Sequence, residues 1–365
     1  MKVLHVVDRH DDLAERTVAS FSEAASLAQH EVLTAPPLPV PGRLHPAAEH
    51  SFLTSVRLMA TETPALVRAV RTLQPDVIHA HSAPIGFATR VGRRLVPELG
   101  RPGMVFTPHG FGLVEQPLNP DQVRRIERVE RRLCCLTDVV ATTTSADHRL
   151  AHRLCRGRTP IHLVPPAPYR LEGTCNDLPA QQRAVVAAGA ITGPAEDQQA
   201  FAQFSERLRR IRRPQETRFA WVDGERLDPR HLPSASADRA VRSVQPDQRH
   251  QELLGASLYV SATASGSVPP TVVAAAAAGV PAVFRLAPGA VDAGDPIAMV
   301  TSLSDLVELS AALLAREDLR ARNRAFWRQA LRLHYCPESR RDRLEWVYAE
   351  ASSDGSLRGE PGGTA

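Results

Sequence analysis

The sequence predicts an α/β protein with two domains, each built on a parallel sheet. Its 365 residues are more than one hydrophobic core usually serves. Short apolar runs alternate with segments of helical period along most of the chain, which is typical of βα units around parallel sheets. The apolar fraction of 43% and the charged fraction of 23% are those of an ordinary globular chain. Two such domains are expected to face each other across a cleft.

The first half contains six predicted strands and five predicted helices. The apolar run from Val3 to Val7 indicates a buried strand, and the apolar residues that follow it recur at helical spacing. Asn119 before Pro120 is a typical helix start, with a capping residue and a proline at the first helical position. A proline-rich connection is predicted over residues 36–46. The other predicted strands span residues 31–33, 77–80, 104–107, 138–143 and 161–164, and the predicted helices span residues 13–28, 63–73, 85–95, 120–133 and 146–156.

A domain boundary is predicted within residues 164–168, because the sequence Val-Pro-Pro-Ala-Pro cannot continue a helix or a central strand. The second half contains four predicted strands and a predicted loop over 227–238. These strands span residues 185–188, 219–222, 258–261 and 282–284, and the helices span residues 198–211, 248–255, 270–278, 304–315, 318–334 and 338–350. The predicted division is an N-terminal domain over 1–166, a C-terminal domain over 167–335, a final helix over 336–351 and a disordered tail over 352–365.

Several enzyme classes are excluded by residues that the chain lacks. Lys2 is the only lysine and begins a predicted strand, so the chain has neither a Walker A loop nor a Schiff-base lysine. This excludes P-loop NTPases, pyridoxal-phosphate enzymes and Ser-Lys hydrolases. No GxGxxG follows a predicted strand, and neither GxSxG nor HExxH occurs. A Rossmann dehydrogenase, a serine hydrolase and a zinc protease therefore have no support.

Charge, cysteines and hydropathy limit the partners and the compartment. The net charge of +4 is too small to require a nucleic-acid partner. The five cysteines are odd in number and include no CxxC, which argues against a disulfide framework and a zinc site. No long apolar core follows Met1, and the most apolar stretch, residues 271–284, is too short to span a bilayer. A cytoplasmic protein is expected.

Six short segments carry a resemblance through their order along the chain. They are residues 75–81 (PDVIHAH) with Gly86, 106–110 (FTPHG), 137–145 (TDVVATTTS), 185–191 (VVAAGAI), 251–257 (QELLGAS) and 274–283 (AAAAAGVPAV). In this order they resemble family-4 glycosyltransferases with the GT-B fold, and the resemblance extends over residues 1–350.

The resemblance implies two Rossmann-like domains, of which the second mainly holds a nucleotide-sugar donor and the first mainly holds the acceptor. It implies transfer from a UDP- or GDP-linked sugar to an envelope-glycan, polysaccharide, lipid-linked or small-molecule acceptor, with retention and with no metal or cofactor. His109 matches the family's histidine at the reacting centre, while His81 and Gly110 are assigned to the acceptor side. The donor side is assigned to Ser265, Gly266, Ser267, Val268, Ala274 and Ala190.

The chain departs from the family at four side chains of the donor site. Gly266 and Ala274 replace two glutamates, and Ala190 and Ala195 replace an arginine and a lysine. Backbone N–H groups after Ser265 and at the start of the next helix remain available to a phosphate. Weak donor binding, millimolar or undetectable, is therefore expected. A catalytically degenerate GT-B protein that binds or regulates another glycosyltransferase is an alternative function, and a GT-B epimerase is a more remote one.

The candidate residues also have purely structural interpretations. His109 is alternatively a strand-end histidine bonded to nearby backbone, and Ser265 and Ser267 are alternatively turn residues. His79 and His81 face the same side of a predicted strand, but no acidic residue or cysteine accompanies them. This favours a core or rim position over a metal site.

The predicted helix over 120–133 is rich in arginine. Its charged residues are Arg124, Arg125, Arg128, Arg131 and Arg132 with Glu127 and Glu130. Basic helices of this kind rest on anionic lipid in relatives with lipid-linked acceptors, which implies a peripheral contact at the inner membrane face. The interleaved glutamates favour a solvated face instead.

Overall fold

The structure, a computed structural model, describes residues 1–8, 12–25, 28–35, 52–111, 113, 119–165, 184–188, 194–211, 217–222, 241–243, 249–265, 268–287 and 297–352. The predicted proline-rich connection, the predicted loop over 227–238 and the tail after Ser352 lie outside these residues. The chain divides into two compact units. Unit 1 is Met1–Ala167 with Pro337–Ala365, and unit 2 is Pro168–Cys336.

Unit 1 is a six-stranded parallel sheet covered by helices. Its elements are β1 (Lys2–Asp8), α1 (Asp12–Ala24), β2 (Gln29–Ala35), α2 (Phe52–Leu73), β3 (Val77–His81), α3 (Ala83–Leu95), α4 (Pro97–Gly100), β4 (Gly103–Thr107), α5 (Pro120–Leu133), a 3-10 turn (Cys134–Leu136), β5 (Val139–Thr142), α6 (Ser145–Cys155) and β6 (Ile161–Leu163). The strand order is β2-β1-β3-β4-β5-β6, and all pairs are parallel. Every residue of β3, β4 and β5 is buried, as expected for a parallel sheet with both faces covered.

Unit 2 repeats the architecture with a second six-stranded parallel sheet. Its elements are β7 (Ala184–Ala188), α7 (Pro194–Ile211), β8 (Thr217–Trp221), β9 (Val241–Ser243), α8 (Arg249–Leu254), β10 (Leu258–Ser265), α9 (Pro270–Ala277), β11 (Ala282–Leu286), β12 (Met299–Val300), α10 (Leu303–Ala315) and α11 (Glu317–His334). The strand order is β12-β11-β10-β7-β8-β9. Phe201, Phe204, Trp221 and Trp327 are fully buried in its core.

The last helix, α12 (Pro337–Ser352), packs on the sheet of unit 1. Its residues Leu344, Val347 and Tyr348 are completely buried in the unit 1 core. Gly103 at the start of β4 permits this contact, because a β-carbon there would lie 2.1 Å from the carbonyl oxygen of Ala351. The backbone of α12 thus lies directly against the backbone of the first sheet.

A glycine also allows α3 to approach β4. A β-carbon at Gly86 would lie 2.1 Å from the Phe106 ring, so the ring occupies the space that a side chain would need. The Arg90 guanidinium stacks on the same ring at 3.9 Å from its centroid. Arg90 also forms a buried, two-pronged ion pair with Glu130 of α5, with N–O distances of 2.9 and 3.1 Å. The pair ties α5 to α3.

The predicted α/β fold with parallel sheets is confirmed, and the differences are local. The sequence predicted a helix start near Thr63, but α2 begins at Phe52 and continues through Pro64. The short elements α4, β9 and β12 were not predicted, since two to four residues are too few to show periodicity. Asn119 caps α5 as expected, with hydrogen bonds from the backbone N–H groups of Asp121 and Gln122.

Candidate functional site

Each sheet has one point at which its strand order reverses. In unit 1 this point lies between β1 and β3, and His81 is the last residue of β3. In unit 2 it lies between β7 and β10, and Ser265 is the last residue of β10. Ligands of open parallel sheets bind beyond the carboxyl ends of the strands at such points. His81 and Ser265 therefore lie where a ligand is expected in each unit.

Five histidines meet inside unit 1. We call them the histidine cluster: His5 on β1, His30 on β2, His79 and His81 on β3, and His109 two residues after β4. The His79 and His81 rings stack at 4.2 Å between centroids, since alternate residues of a strand face the same side. His5 is in register with His79 on the neighbouring strand. His79 lies within β3, two residues before the strand ends at His81.

A chain of hydrogen bonds fixes the tautomers of three of these rings. The Ala25 carbonyl only accepts, so His30 Nε2–H donates to it at 3.0 Å. His30 Nδ1 then accepts from His5 Nε2–H at 2.9 Å, and His5 Nδ1 accepts from His81 Nε2–H at 3.0 Å. His81 Nδ1 is left with a lone pair that has no partner among the described residues. His81 is therefore oriented as a hydrogen-bond acceptor.

His79 is satisfied on both sides by protein groups. The Thr107 hydroxyl donates to the Ala141 carbonyl at 2.8 Å, so its oxygen accepts from His79 Nε2–H at 2.8 Å. His79 Nδ1 accepts from the Tyr348 hydroxyl of α12 at 3.1 Å. With both nitrogens bonded to protein and a completely buried ring, His79 is a core histidine.

His109 lies on a tight turn with unusual backbone conformation. His109, Gly110 and Phe111 all have positive φ, at 44°, 89° and 56°. The Gly110 N–H donates to the buried carboxyl of Asp147, in the first turn of α6, which also receives a hydrogen bond from the Thr144 hydroxyl. Positive φ strains a residue with a β-carbon, so surrounding contacts must hold the turn. Neither ring nitrogen of His109 finds a partner among the described residues.

Burial keeps the histidine cluster neutral near pH 7. Burial lowers the pKa of His109 to about 4, and burial together with the charge of His30 lowers the pKa of His5 to about 3. Burial, with contributions from neighbouring histidines, also holds the pKa values of His79 and His81 well below 6.5. Asp147 has the opposite shift, because burial raises its pKa to about 6. The histidine cluster therefore offers uncharged donors and acceptors near pH 7.

The side chains of His5, His79 and His81 could in principle hold a metal ion. One nitrogen from each lies within 4.8 Å of the others. However, both nitrogens of His5 and of His79 already have hydrogen-bond partners. No carboxylate or thiolate joins the group among the described residues, and a dication buried among neutral ligands is costly. The geometry fits a neutral hydrogen-bonded network better than a metal centre.

The donor-side residues are only partly described. Ser265 ends β10, Val268 is half-buried just before α9, and Ala274 is buried within α9. Gly266, Ser267 and Ala190 lie outside the described residues, and Ala195 belongs to the first turn of α7. Their assigned roles remain predictions.

The start of α9 and the neighbouring strand supply polar groups that the sequence did not indicate. Pro269 is the N-cap of α9 and Pro270 its first residue, and no side chain caps the helix. The hydroxyl of Thr271 is buried without a partner among the described residues. Arg285 on β11 is half-buried, and burial lowers its pKa. No carboxylate of the described part of the chain lies within ion-pair distance of it. Thr271 and Arg285 thus each keep a polar side-chain atom without a partner among the described residues.

Several residues of the unit 1 site were also missed by the sequence analysis. His5, His30, Asp147 and Tyr348 lie far apart in the chain and converge through the sheet and α12. His5 could have been found, because it occupies the first predicted strand and strands adjacent in a parallel sheet align their side chains. The tertiary position of Tyr348 left no signal in the sequence.

Residues 6–167 match the family described as “Glycosyl transferase 4-like domain”. A search of curated proteins by sequence found no match. None of the described helices is long and apolar enough to cross a membrane.

Solved structures match nearly the whole chain at low identity. Sucrose-phosphate synthase from Thermosynechococcus elongatus is 16% identical with a TM-score of 0.67, covering 96% of this chain and 99% of that chain. The catalytic domain of starch synthase IV from Arabidopsis thaliana, bound to ADP and acarbose, is 12% identical with a TM-score of 0.63, covering 96% and 99%. UDP-GlcNAc 2-epimerase from Neisseria meningitidis, bound to UDP-GlcNAc, is 11% identical with a TM-score of 0.58, covering 96% and 100%. At such identities the likeness shows the fold alone. The predicted GT-B fold and the resemblance of residues 6–167 to a family-4 glycosyltransferase domain are confirmed.

Proposed function

We propose that this chain, whose residues 6–167 belong to the glycosyl transferase 4-like domain family, is a retaining glycosyltransferase that uses a UDP- or GDP-linked sugar. Its acceptor is an envelope glycan, a polysaccharide, a lipid-linked sugar or a small molecule. One observation carries the proposal: His109 is a buried neutral imidazole at the carboxyl edge of a parallel sheet, with two nitrogens that lack partners among the described residues. Leaving such groups unpaired is costly, so the site favours a polar ligand.

His109 is the proposed group at the reacting centre. A neutral imidazole has one N–H and one lone pair, so it can donate to a sugar or phosphate oxygen and accept from a hydroxyl. The hydrogen bond between Gly110 and Asp147 holds the turn on which His109 lies. His81 is the proposed acceptor-side residue, because its free Nδ1 can accept a hydrogen bond from a substrate hydroxyl.

The donor diphosphate is assigned to the backbone from Ser265 to Val268 and to the start of α9. Backbone N–H groups and the positive end of a helix dipole favour a phosphate there. The unpartnered hydroxyl of Thr271 supports this assignment. Arg285 is the proposed substitute for the cations missing at Ala190 and Ala195.

A second candidate function is a catalytically degenerate GT-B protein that binds or regulates another glycosyltransferase. The observation in its favour is Ala274, which is buried within α9 at 4% exposure and has no oxygen with which to hold a ribose. Nucleotide binding without turnover would distinguish it from the active enzyme.

A peripheral membrane contact through α5 is part of the proposal. Glu130, one of the two interleaved glutamates of this helix, is buried and paired with Arg90 of α3. Arg125, Arg128 and Arg132 are exposed, have no carboxylate partner among the described residues, and share one face through their spacing of three and four. This uncompensated face suits an anionic surface such as the headgroups of the inner membrane face.

The test combines calorimetry and a transfer assay with UDP, GDP and their sugars. For the active enzyme we expect nucleotide-sugar consumption in the presence of an acceptor, and we expect His109→Ala to abolish it while leaving the melting temperature nearly unchanged. His334→Ala, at an exposed position of α11, is the matched control. Full activity of the His109 variant would contradict the assignment. Nucleotide binding without consumption would favour the second candidate.

A further inference from the structure

Two buried cysteines of unit 1 lie within reach of a covalent bond. Cys134 Sγ and Cys155 Sγ are 2.7 Å apart. Their residues are 2% and 1% exposed, in the same core cluster. A disulfide bond is about 2.05 Å long, so the sulfurs would need to approach by only about 0.7 Å.

The backbone holds both sulfurs in place. Cys134 begins the 3-10 turn after α5, and its carbonyl accepts hydrogen bonds from the Thr159 hydroxyl at 2.8 Å and from the Thr137 N–H at 3.1 Å. Cys155 is the last residue of α6, 21 positions later. Because both residues belong to packed elements, the short distance is a property of the core.

We propose that Cys134 and Cys155 are an oxidation site that forms an intramolecular disulfide with a small peroxide such as hydrogen peroxide. One sulfur attacks a peroxide oxygen, the O–O bond breaks, and the products are a sulfenic acid and water. The other sulfur then attacks the sulfenic sulfur, and a second water leaves as the S–S bond forms. Two thiols are oxidised and one peroxide is reduced to two waters. Burial of both sulfurs disfavours larger disulfide oxidants.

The short contact also favours formation of the thiolate that starts the reaction. When either sulfur loses its proton, the other thiol can donate a hydrogen bond to it across 2.7 Å. Since the thiolate is the nucleophile, this contact supports the first step whichever sulfur takes it.

The experiment uses the full chain at neutral pH, with and without hydrogen peroxide. All samples carry serine at the other cysteines, which are Cys135, Cys175 and Cys336. After denaturation and alkylation, tryptic mass spectrometry should show the peptide 133–149 linked to the peptide 154–156, with the loss of two hydrogens. Cys155→Ser in the same background should show no link. Full alkylation of both sulfurs after peroxide treatment would overturn the proposal.

Thermal unfolding provides the second measurement. A bond that closes a loop of this length in an undistorted fold should raise the melting temperature by about 5–10 °C. Dithiothreitol should reverse the rise, and the Cys155→Ser protein should show none. An unchanged or lower melting temperature of the linked protein would mean that the bond forms only by distorting the core, and would likewise overturn the proposal.

Discussion

Acidification from pH 7 to pH 5 is expected to destabilise unit 1. Burial lowers the pKa of His5 to about 3 and that of His109 to about 4, whereas a histidine in an unfolded chain titrates near about 6.5. At pH values between these two pKa values, the unfolded chain binds protons that the folded chain does not. The free energy of unfolding therefore decreases as the pH decreases. The stability that these neutral histidines contribute is complete above about pH 6.5. It is lost progressively as the pH falls toward the pKa values of His5 and His109 in the folded chain.

The magnitude follows from the difference in proton binding. Between pH 7 and pH 5, His5 and His109 each remove about 2 kcal/mol from the free energy of unfolding. Asp147 acts in the opposite direction, because burial raises its pKa to about 6 and the folded state gains its proton first. It restores about 1 kcal/mol, which leaves a net loss of about 3 kcal/mol. His79 and His81 add to the loss, and the melting temperature should fall by about 6–12 °C or more.

Urea unfolding followed by circular dichroism at pH 7 and pH 5 measures this loss. His5→Gln carries no titrating group at this position. Between pH 7 and pH 5 its free energy of unfolding should therefore decrease by about 2 kcal/mol less than that of the wild type. His334→Gln, at an exposed position, should behave like the wild type. If the wild type were equally stable at both pH values, or if His5→Gln kept the full pH dependence, the histidine cluster would not be neutral in the folded state.

Four further predictions concern packing and ligands. Gly103→Ala should lower the melting temperature strongly, because the new β-carbon collides with the α12 backbone, and scanning calorimetry measures this loss. Glu130→Gln should cost about 3–5 kcal/mol in urea unfolding by leaving the Arg90 charge buried and unpaired, and a loss under 1 kcal/mol would show the pair to be unimportant. Nucleotide-sugar binding to the wild type should be millimolar or undetectable by calorimetry, and Ala190→Arg should strengthen it; low-micromolar wild-type binding would contradict this. Zinc should leave the melting temperature unchanged, whereas tight binding of one equivalent would establish a metal centre in the histidine cluster.

The fold could be predicted because its information is local. A strand such as β7 is a continuous apolar run, and α5 begins at a capping asparagine followed by proline, so each element is visible in its own residues. The predicted start of α2 near Thr63 was wrong, because the helix begins at Phe52 and passes through Pro64. A two-residue strand such as β12 is too short to show an alternation of apolar and polar residues. It is a strand only because it pairs with β11.

The site was predictable only where it lies on one strand or one turn. His81 and His109 could be found from short motifs, but their state depends on groups brought in by tertiary structure. His30 fixes the tautomer of His81 through His5, and Asp147 holds the turn of His109 from another helix. These hydrogen bonds join residues 25 or more positions apart, and helical or strand periodicity predicts only contacts between residues close in the sequence.

The electrostatics of the two units argue for a donor site that depends on few charges. Burial makes the histidine cluster neutral, so His109 can orient a ligand by hydrogen bonds but cannot attract a diphosphate from solution. In the proposed donor site, Ala190 and Ala195 stand at the positions that the resemblance assigns to cations. The attraction for an anion must then come from backbone N–H groups at α9 and from Arg285, whose half-buried charge has no carboxylate partner among the described residues. Because Arg285 is half-buried and has no carboxylate partner among the described residues, it is the proposed partner of an anion in unit 2.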